Sequence, residues 1–477
     1  MTRRRAMTLV TLALLNAFTI AAGATTADLL RAREAMLAAP RVATRPVVRA
    51  GSVLAPGGQV GLLPTHNGLA AKLSALLASP ALGPDVGAVV ADPVSGQVLF
   101  SHAGTSLLTP ASTAKLATSV AALTVLGPLA RFTTRVVAAS SPGAIVLVGG
   151  GDPTLAAGKP PAADYPRPAT LVALAAATAR WLRAEHITRV RLGYDTSLYS
   201  GPGMALSWKP SYVTTGDVTP VSALEVDQGR LTARGVPQDA DDPSNLRARS
   251  VDSAADAVRA LVSFLAEHGI HVKGRPRPQR AAPGAAELAE VQSPPLAEIV
   301  EWMLGESNND IAEGVARHVA IATGRPATFG GGASAVRATL RRLGVAGGIS
   351  TVDGSGLSPD DRIAPVTLAR LVSLAASPRH PQLRSVITGL PVAGFSGTLS
   401  VTENRFVTRP SAPADGLVRA KTGTLDNVRA LAGLVIDKDQ RLLSFAFMVD
   451  RVPTATMTLS ASILDRLAAS LASCGCR

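Results

Sequence analysis

The sequence predicts an α/β (α+β) chain in which a β-rich insertion interrupts one larger domain, and three observations predict it. A helical pattern at 69–77, a strand pair and a second helix open the folded part, up to residue 126. Short β-rich pieces set off by Gly, Pro and Asp clusters follow, within residues 133–292. Helical periodicity then returns, and three strands and a closing helix end the chain. Its 477 residues leave room for several domains, since single hydrophobic cores seldom outgrow about 250 residues.

Taken in order, residues 1–24 read as an export signal. Arg3, Arg4 and Arg5 form a positive start, an uncharged apolar run extends from Ala6 to Ala22, and Ala22-Gly23-Ala24 supplies the small residues a signal peptidase needs. Thr8, Thr11, Asn16 and Thr19 weaken the run as a membrane span, and an uncleaved anchor is the competing reading. Membrane contact is expected at most through this segment. Residues 25–65 lack any period and read as a linker.

Residues 66–132 make the first part of the larger domain. They hold helical spacing over 69–77, strands at 86–91 and 97–102 joined by Asp92-Pro93-Val94-Ser95-Gly96, and a helix from Ser112 to about Leu126. The insertion, residues 133–292, carries strand-like pieces at 135–139, 144–148 and 190–192 and helices at 169–185 and 254–268. Its connectors are the Pro-rich Lys159-Pro160-Pro161 and Arg275-Pro276-Arg277-Pro278, as expected of one or two small domains. Residues 293–477 complete the larger domain with helical runs at 296–304 and 310–322, strands at 417–422, 428–436 and 442–449, and a last helix over 455–472.

Apolar residues make up 47% of the chain, which indicates a globular protein, while aromatics at 3% leave the core to Ala, Leu and Val. The net charge of +13 comes with no basic stripe interleaved with aromatics, so no nucleic-acid partner is expected. Default arginine usage in a GC-rich genome explains the charge, and attraction to anionic cell-wall polymers is the functional alternative. The two cysteines, Cys474 and Cys476, are too few for a disulfide framework. They are open to a local ring, a link to a partner, or a frayed end, and the frayed end is the expectation.

Three motifs carry chemistry. Ser112-Thr113-Ala114-Lys115 opens the first helix after Pro110, and positions three apart share a helix face, so the Lys115 amine reaches the Ser112 hydroxyl. A serine needs a base to become a nucleophile, and a lysine with a lowered pKa serves where an arginine cannot. Ser307-Asn308-Asn309 lies between two helical runs, where Ser307 is placed to relay a proton and the Asn309 amide to hold a substrate carbonyl. Lys421-Thr422-Gly423-Thr424 lies on a strand whose edge can pair with an extended peptide, Gly423 leaving room for its backbone. Lys421 and Thr422 would meet a terminal carboxylate. Taken singly, each motif is also a helix cap, a polar turn or a strand end. Only seven of the 47 basic residues are lysine, yet Lys115 and Lys421 fall inside two of these motifs.

In this order, Ser-x-x-Lys, Ser-x-Asn and Lys-Thr-Gly are the trio of serine β-lactamases and penicillin-binding proteins, with Asn308 standing where Asp is usual. The gaps of 195 positions from Ser112 to Ser307 and 112 from Asn309 to Lys421 are long for a β-lactamase. The chain resembles the D-alanyl-D-alanine carboxypeptidase/endopeptidase family of low-molecular-mass (class C) penicillin-binding proteins. Further matching stretches are Leu108-Thr109-Pro110-Ala111-Ser112, 148–155, Asp353-Gly354-Ser355-Gly356-Leu357-Ser358, and 390–394 followed by Gly397-Thr398-Leu399. The resemblance covers about residues 69–470.

It implies a β-lactamase/penicillin-binding transpeptidase-like fold, an antiparallel sheet flanked by helices with inserted β-rich domains. It also implies an exported serine peptidase acting on peptidoglycan stem peptides in the cell wall or periplasmic space, with β-lactams as covalent inhibitors and no cofactor. Ser112 would be acylated, Lys115 its base, Ser307 and Asn309 would line the cleft, and Lys421, Thr422 and Gly423 would form its far wall. The N–H groups of Ser112 and Thr424 would make the oxyanion hole. A β-lactamase, and an idle wall-binding protein of the same fold, are the competing readings. Seven scattered histidines, His268 and His271 included, show no metal spacing. Gly149-Gly150-Gly151-Asp152-Pro153 lacks the Lys of a phosphate loop and reads as a tight turn, and Asp195 as a turn residue that could otherwise read a diamino acid.

Overall fold

The computed structural model describes residues 61–160, 165–231, 248–345 and 347–477. The export signal and nearly all of the linker lie outside these. Helix α1 (His66–Leu77) is capped by the Thr65 hydroxyl, which accepts from Gly68 N, and buries Leu69, Leu73 and Leu77 along one stripe. Strands β1 (Asp85–Ala91) and β2 (Val98–His102) pair antiparallel. A 3₁₀ turn, Ala111–Ala114, then feeds α2 (Lys115–Val125), so regular helix starts at the lysine rather than at Ser112. Ala111 has φ +46°, outside the helical region, which explains the late start.

The next elements build a second sheet. Its strands are β3 (Thr133–Ala138), β4 (Ala144–Val148), β5 (Arg189–Asp195), β6 (His271–Val272), β7 (Arg277–Pro278) and β8 (Glu287–Gln292). The order is β6-β5-β4-β3-β8, with β7 also on β5, and β4 runs parallel to β5 across the helix α3 (Leu171–Ala184). Helix α4 (Ser253–Glu267) joins α3 over this sheet, and Leu171, Leu174, Leu182, Leu261 and Leu265 meet Val136, Ile145, Leu147 and Leu192 in a separate core.

Helices α5 (Leu296–Gly305), α6 (Asn309–Ala322) and α7 (Phe329–Arg342) follow, then the short pair β9 (Ile349–Ser350) and β10 (Arg362–Ile363), and helix α8 (Pro365–Ala376). Strands β11 (Val418–Leu425), β12 (Val428–Ile436) and β13 (Leu442–Asp450) and helix α9 (Met457–Ala472) finish the chain. The main sheet has the order β11-β12-β13-β1-β2, all antiparallel, so the first and last parts of the chain share it. Both of its faces are covered, so its strands are almost continuously apolar. Ala430, Ala432, Ala446 and Met448 face the helical core of α2, α5, α6, α7 and α8, while Leu431, Val435, Phe445 and Phe447 face α1 and α9.

The C-terminal tail corrects one expectation. Cys474 and Cys476 are buried, joined to each other, and packed in the core of α1 and α9. Thr65 N donates to Cys476 O at 2.7 Å, so the tail is tied to the start of α1 instead of frayed.

Candidate active site

Ser112 sits half-buried on the 3₁₀ turn where the Pro110–Ala111 segment is clamped from two sides. A Cβ on Gly423 would lie 2.6 Å from Pro110 O, and one on Gly356 would lie 2.0 Å from Ala111 O. The two glycines thus let strand β11 and the 353–358 loop press against the turn that presents the serine. For Gly423, a Cβ would meet the protein's own turn.

Lys115 points from the first residue of α2 into this corner and is fully buried. Its Nζ lies 2.9 Å from Ser112 Oγ, 2.7 Å from Asn309 Oδ1 and 2.8 Å from the Ser355 carbonyl. Burial lowers its pKa to about 7, against the pull of Asp353, Glu313 and Asp310, whose charges favour the cation. At neutral pH a large fraction of this amine is therefore uncharged.

The loop that carries the Ser355 carbonyl is held by two buried acids, Asp353, which sequence reasoning named only within a matching stretch, and Glu313, which it did not single out. Glu313 Oε1 accepts from Gly354 N at 3.0 Å and Ser355 N at 2.8 Å, and its carboxylate pairs with buried Arg317 at 3.2 Å. Asp353 accepts from Gly356 N and Ser358 N, and from Trp208 Nε1 at 2.7 Å. An acid and a base four apart on α6, within a run of apolar residues that stays buried, was the available signal, because charged side chains are seldom fully buried unless paired.

Ser307 occupies the α5–α6 turn with φ +58°, and its hydroxyl bonds to no described residue. Asn308 caps α6, its Oδ1 accepting from Ile311 N at 3.0 Å, while its Nδ2 donates to Gln228 Oε1 at 2.8 Å. An aspartate here could cap the helix, but only the amide supplies the second donor. Asn309 bridges Lys115 and the Asp217 carbonyl, to which its Nδ2 donates at 2.8 Å. Trp208, Asp217 and Gln228 all belong to the segment between β5 and α4, so that segment reaches two elements of the site, the 353–358 loop and the start of α6.

Opposite, Lys421 is fully buried on β11, its Nζ 3.0 Å from the Thr422 carbonyl. Burial holds its pKa well below the usual lysine value, and the Lys115 charge lowers it further. The Thr422 and Thr398 hydroxyls share a hydrogen bond of 2.8 Å, and Thr424 is exposed. The structure thus brings Ser112, Lys115 and Asn309 into direct contact, with Gly423 against their turn. Asp195 is the last residue of β5 rather than a turn residue, and its two carboxylate oxygens accept from Ser197 N and Ala281 N, each at 2.8 Å. Among the described residues no cluster of His, Cys, Asp or Glu could hold a metal.

Comparison with known proteins identifies the family. Residues 69–249 and 230–471 match the D-Ala-D-Ala carboxypeptidase 3 (S13) family. The chain is 40% identical over 417 residues to Carboxypeptidase DacB of Mycolicibacterium smegmatis, covering 87% of this chain and 85% of that one. It is 31% identical over 438 residues to the D-alanyl-D-alanine carboxypeptidase of an Actinomadura species, covering 76% and 77% of the two chains. Penicillin binding protein 4 of Haemophilus influenzae has the same fold, with a TM-score of 0.67 at 23% identity over 85% of this chain and 98% of that one. The chain therefore belongs to the D-Ala-D-Ala carboxypeptidase 3 (S13) family.

Proposed function

We propose that this carboxypeptidase removes the terminal D-alanine of peptidoglycan stem peptides through an acyl-enzyme on Ser112, and that β-lactams acylate the same serine. The observation that carries this reading is the buried Lys115 amine, 2.9 Å from Ser112 Oγ. As a neutral amine it donates two hydrogens, to Asn309 Oδ1 and the Ser355 carbonyl. Its lone pair is then left for the Ser112 proton.

Ser112 Oγ attacks the carbonyl of the penultimate D-alanine as its proton passes to Lys115 Nζ. The N–H groups of Ser112 and Thr424 receive the developing oxyanion. Collapse breaks the peptide bond, and the leaving amine takes a proton from Lys115 by way of the Ser307 hydroxyl. Lys421 and Thr422 hold the terminal carboxylate. Water, deprotonated by the regenerated Lys115 amine, then hydrolyses the ester. The same steps on a cross-linked stem peptide are endopeptidase action. This substrate places the enzyme outside the cytoplasm, and no described helix is long and apolar enough to cross a membrane.

Fluorescent benzylpenicillin tests the assignment. The wild type should carry one label, retained for minutes or longer, and release D-alanine from a pentapeptide. Ser112→Ala should do neither. Labelling of that variant would remove Ser112 from the role, and millisecond loss of label from the wild type would make the chain a β-lactamase.

A further inference from the structure

Arg249, just before α4, is a buried arginine that the acylation steps above do not use. Its Nε donates to the Gly216 carbonyl at 2.8 Å and its Nη1 to the Gln228 carbonyl at 2.7 Å. These carbonyls stand at opposite ends of the 216–228 loop, so one guanidinium draws both ends together. The Arg249 main chain is held as well: its N donates to Val213 O at 2.7 Å, and it forms a β-bridge with Arg230. A flat fork with donors on two edges suits this task, and an ammonium lacks that span.

The same guanidinium reaches α6. Its Nη1 lies 3.5 Å from Asp310 Oδ2, and Asp310 Oδ1 accepts from Thr219 N, inside the loop, at 2.7 Å. Thr219 Oγ1 donates in turn to the Gln228 carbonyl at 2.6 Å. Both members of the Arg249–Asp310 pair are buried, and Glu225, Arg230 and Arg317 belong to the same charge cluster. Asp310 directly follows Asn309, whose Nδ2 donates to the carbonyl of Asp217, the residue after Gly216. Arg249 therefore holds the neighbour of each partner in that hydrogen bond: Gly216 beside Asp217, and Asp310 beside Asn309.

That hydrogen bond decides which end of the Asn309 amide faces the base. With Nδ2 on the Asp217 carbonyl, Oδ1 is left to accept from Lys115 Nζ, at 2.7 Å. A reversed amide would set two oxygens against each other at Asp217 and aim its N–H at Lys115. There it would engage the lone pair that the Ser112 proton needs. We propose that Arg249 is a positioning residue for acylation: by joining Gly216, Gln228 and Asp310 it holds the Asp217 carbonyl where that carbonyl keeps the Asn309 oxygen toward Lys115. The inference rests on the Ser112–Lys115 reading above for the reaction, and on the Arg249 contacts for the positioning.

The test variant is Arg249→Met with Asp310→Asn, which removes both members of the buried pair, strands no unpaired ion, and keeps an acceptor for Thr219 N. Acylation of the full-length protein by fluorescent benzylpenicillin is measured at about pH 9. That is above the Lys115 pKa of about 7, so the loss of the Asp310 charge near Lys115 leaves the rate on its plateau. The pair variant should acylate about tenfold more slowly than the wild type. In an Asn309→Ala background the same two changes should cost less than about twofold, because the amide they position is gone. Arg249→Lys keeps the charge without the fork, and should lose about threefold in the native background and nothing in the other. It carries the comparison alone if the pair variant does not fold. Equal losses in the two backgrounds, or no loss in either, make Arg249 a packing residue and overturn the proposal. A crystal structure of whichever variant folds reads the position directly: the Asn309 Nδ2 contact with Asp217 O should be lost, and finding it intact overturns the proposal whatever the rates. A wild type that takes no label sinks the Ser112 reading instead, and the crystal structure then decides for Arg249.

Discussion

The two lysines of the cleft are both fully buried, yet the protein holds them in opposite ways. Lys115 meets acceptors from three separate elements: Ser112 on the 3₁₀ turn, Asn309 on α6 and the carbonyl of Ser355. Among the described residues, Lys421 hydrogen-bonds only to the carbonyl and hydroxyl of its own neighbour, Thr422. An amine fixed by three partners needs no ligand to complete it, which suits a group that must move a proton. An amine with donors to spare in a dry site, where the charge of Glu306 favours its cation, suits the carboxylate-binding role proposed for it. Burial disfavours the cation at both places, so in the proposed mechanism a substrate carboxylate arriving at Lys421 would restore what desolvation removes.

The largest effect that can break this contrast is Lys115→Met. Removing the base should cut acylation roughly 10³-fold while substrate KM changes little. Lys421→Met should cost on the order of 10²-fold, and only for substrates with a free C-terminal carboxylate. Comparing a D-Ala-D-Ala peptide with its C-terminal amide checks this: the wild type should prefer the acid, and the variant should treat the two alike. A variant that keeps the preference would assign the carboxylate to another group.

Next in size is the pH profile. With the Lys115 pKa at about 7, the acylation rate should rise tenfold per unit below that value and level off above it. Glu313 favours the Lys115 cation where it is charged, and burial raises its own pKa to about 7, so Glu313→Gln should move the upper part of the rising limb to more acid pH. A merely structural Glu313 would lower activity without moving the limb.

The motifs were legible because the chemistry constrains residue type and short spacing together: Ser112 and Lys115 share one helical turn, and Lys421 to Thr424 share one strand. The main strands were legible from apolar runs such as 428–436, which stay apolar because both faces of the sheet are covered. What the sequence hid is tertiary. Nothing local marks the Ser355 carbonyl as a partner of a lysine 240 positions away. The Cys474-Gly475-Cys476-Arg477 tail carries no periodic signal, and only its packing against α1 reveals that it is core. The start of α2 was placed three residues early, because a 3₁₀ turn uses the same residues as a first helical turn.

The smallest predicted effect tests whether the segment between β5 and α4 belongs to the catalytic centre. Asp227, Gln228 and Gly229 all have positive φ, between 50° and 60°, a costly backbone for the first two. That turn brings Gln228 Oε1 to Asn308 Nδ2, at 2.8 Å, and Asn308 in turn caps α6 beside Ser307 and Asn309. Gln228→Ala removes one buried neutral hydrogen bond, worth about 1 kcal/mol, and leaves the backbone strain as it is. Acylation should therefore fall about fivefold through kcat, with a small loss of thermal stability. Gln228→Glu keeps the acceptor and should recover most of the rate. If both variants acylate as the wild type does, this segment only packs beside the site, and the asparagine at 308 needs a different explanation.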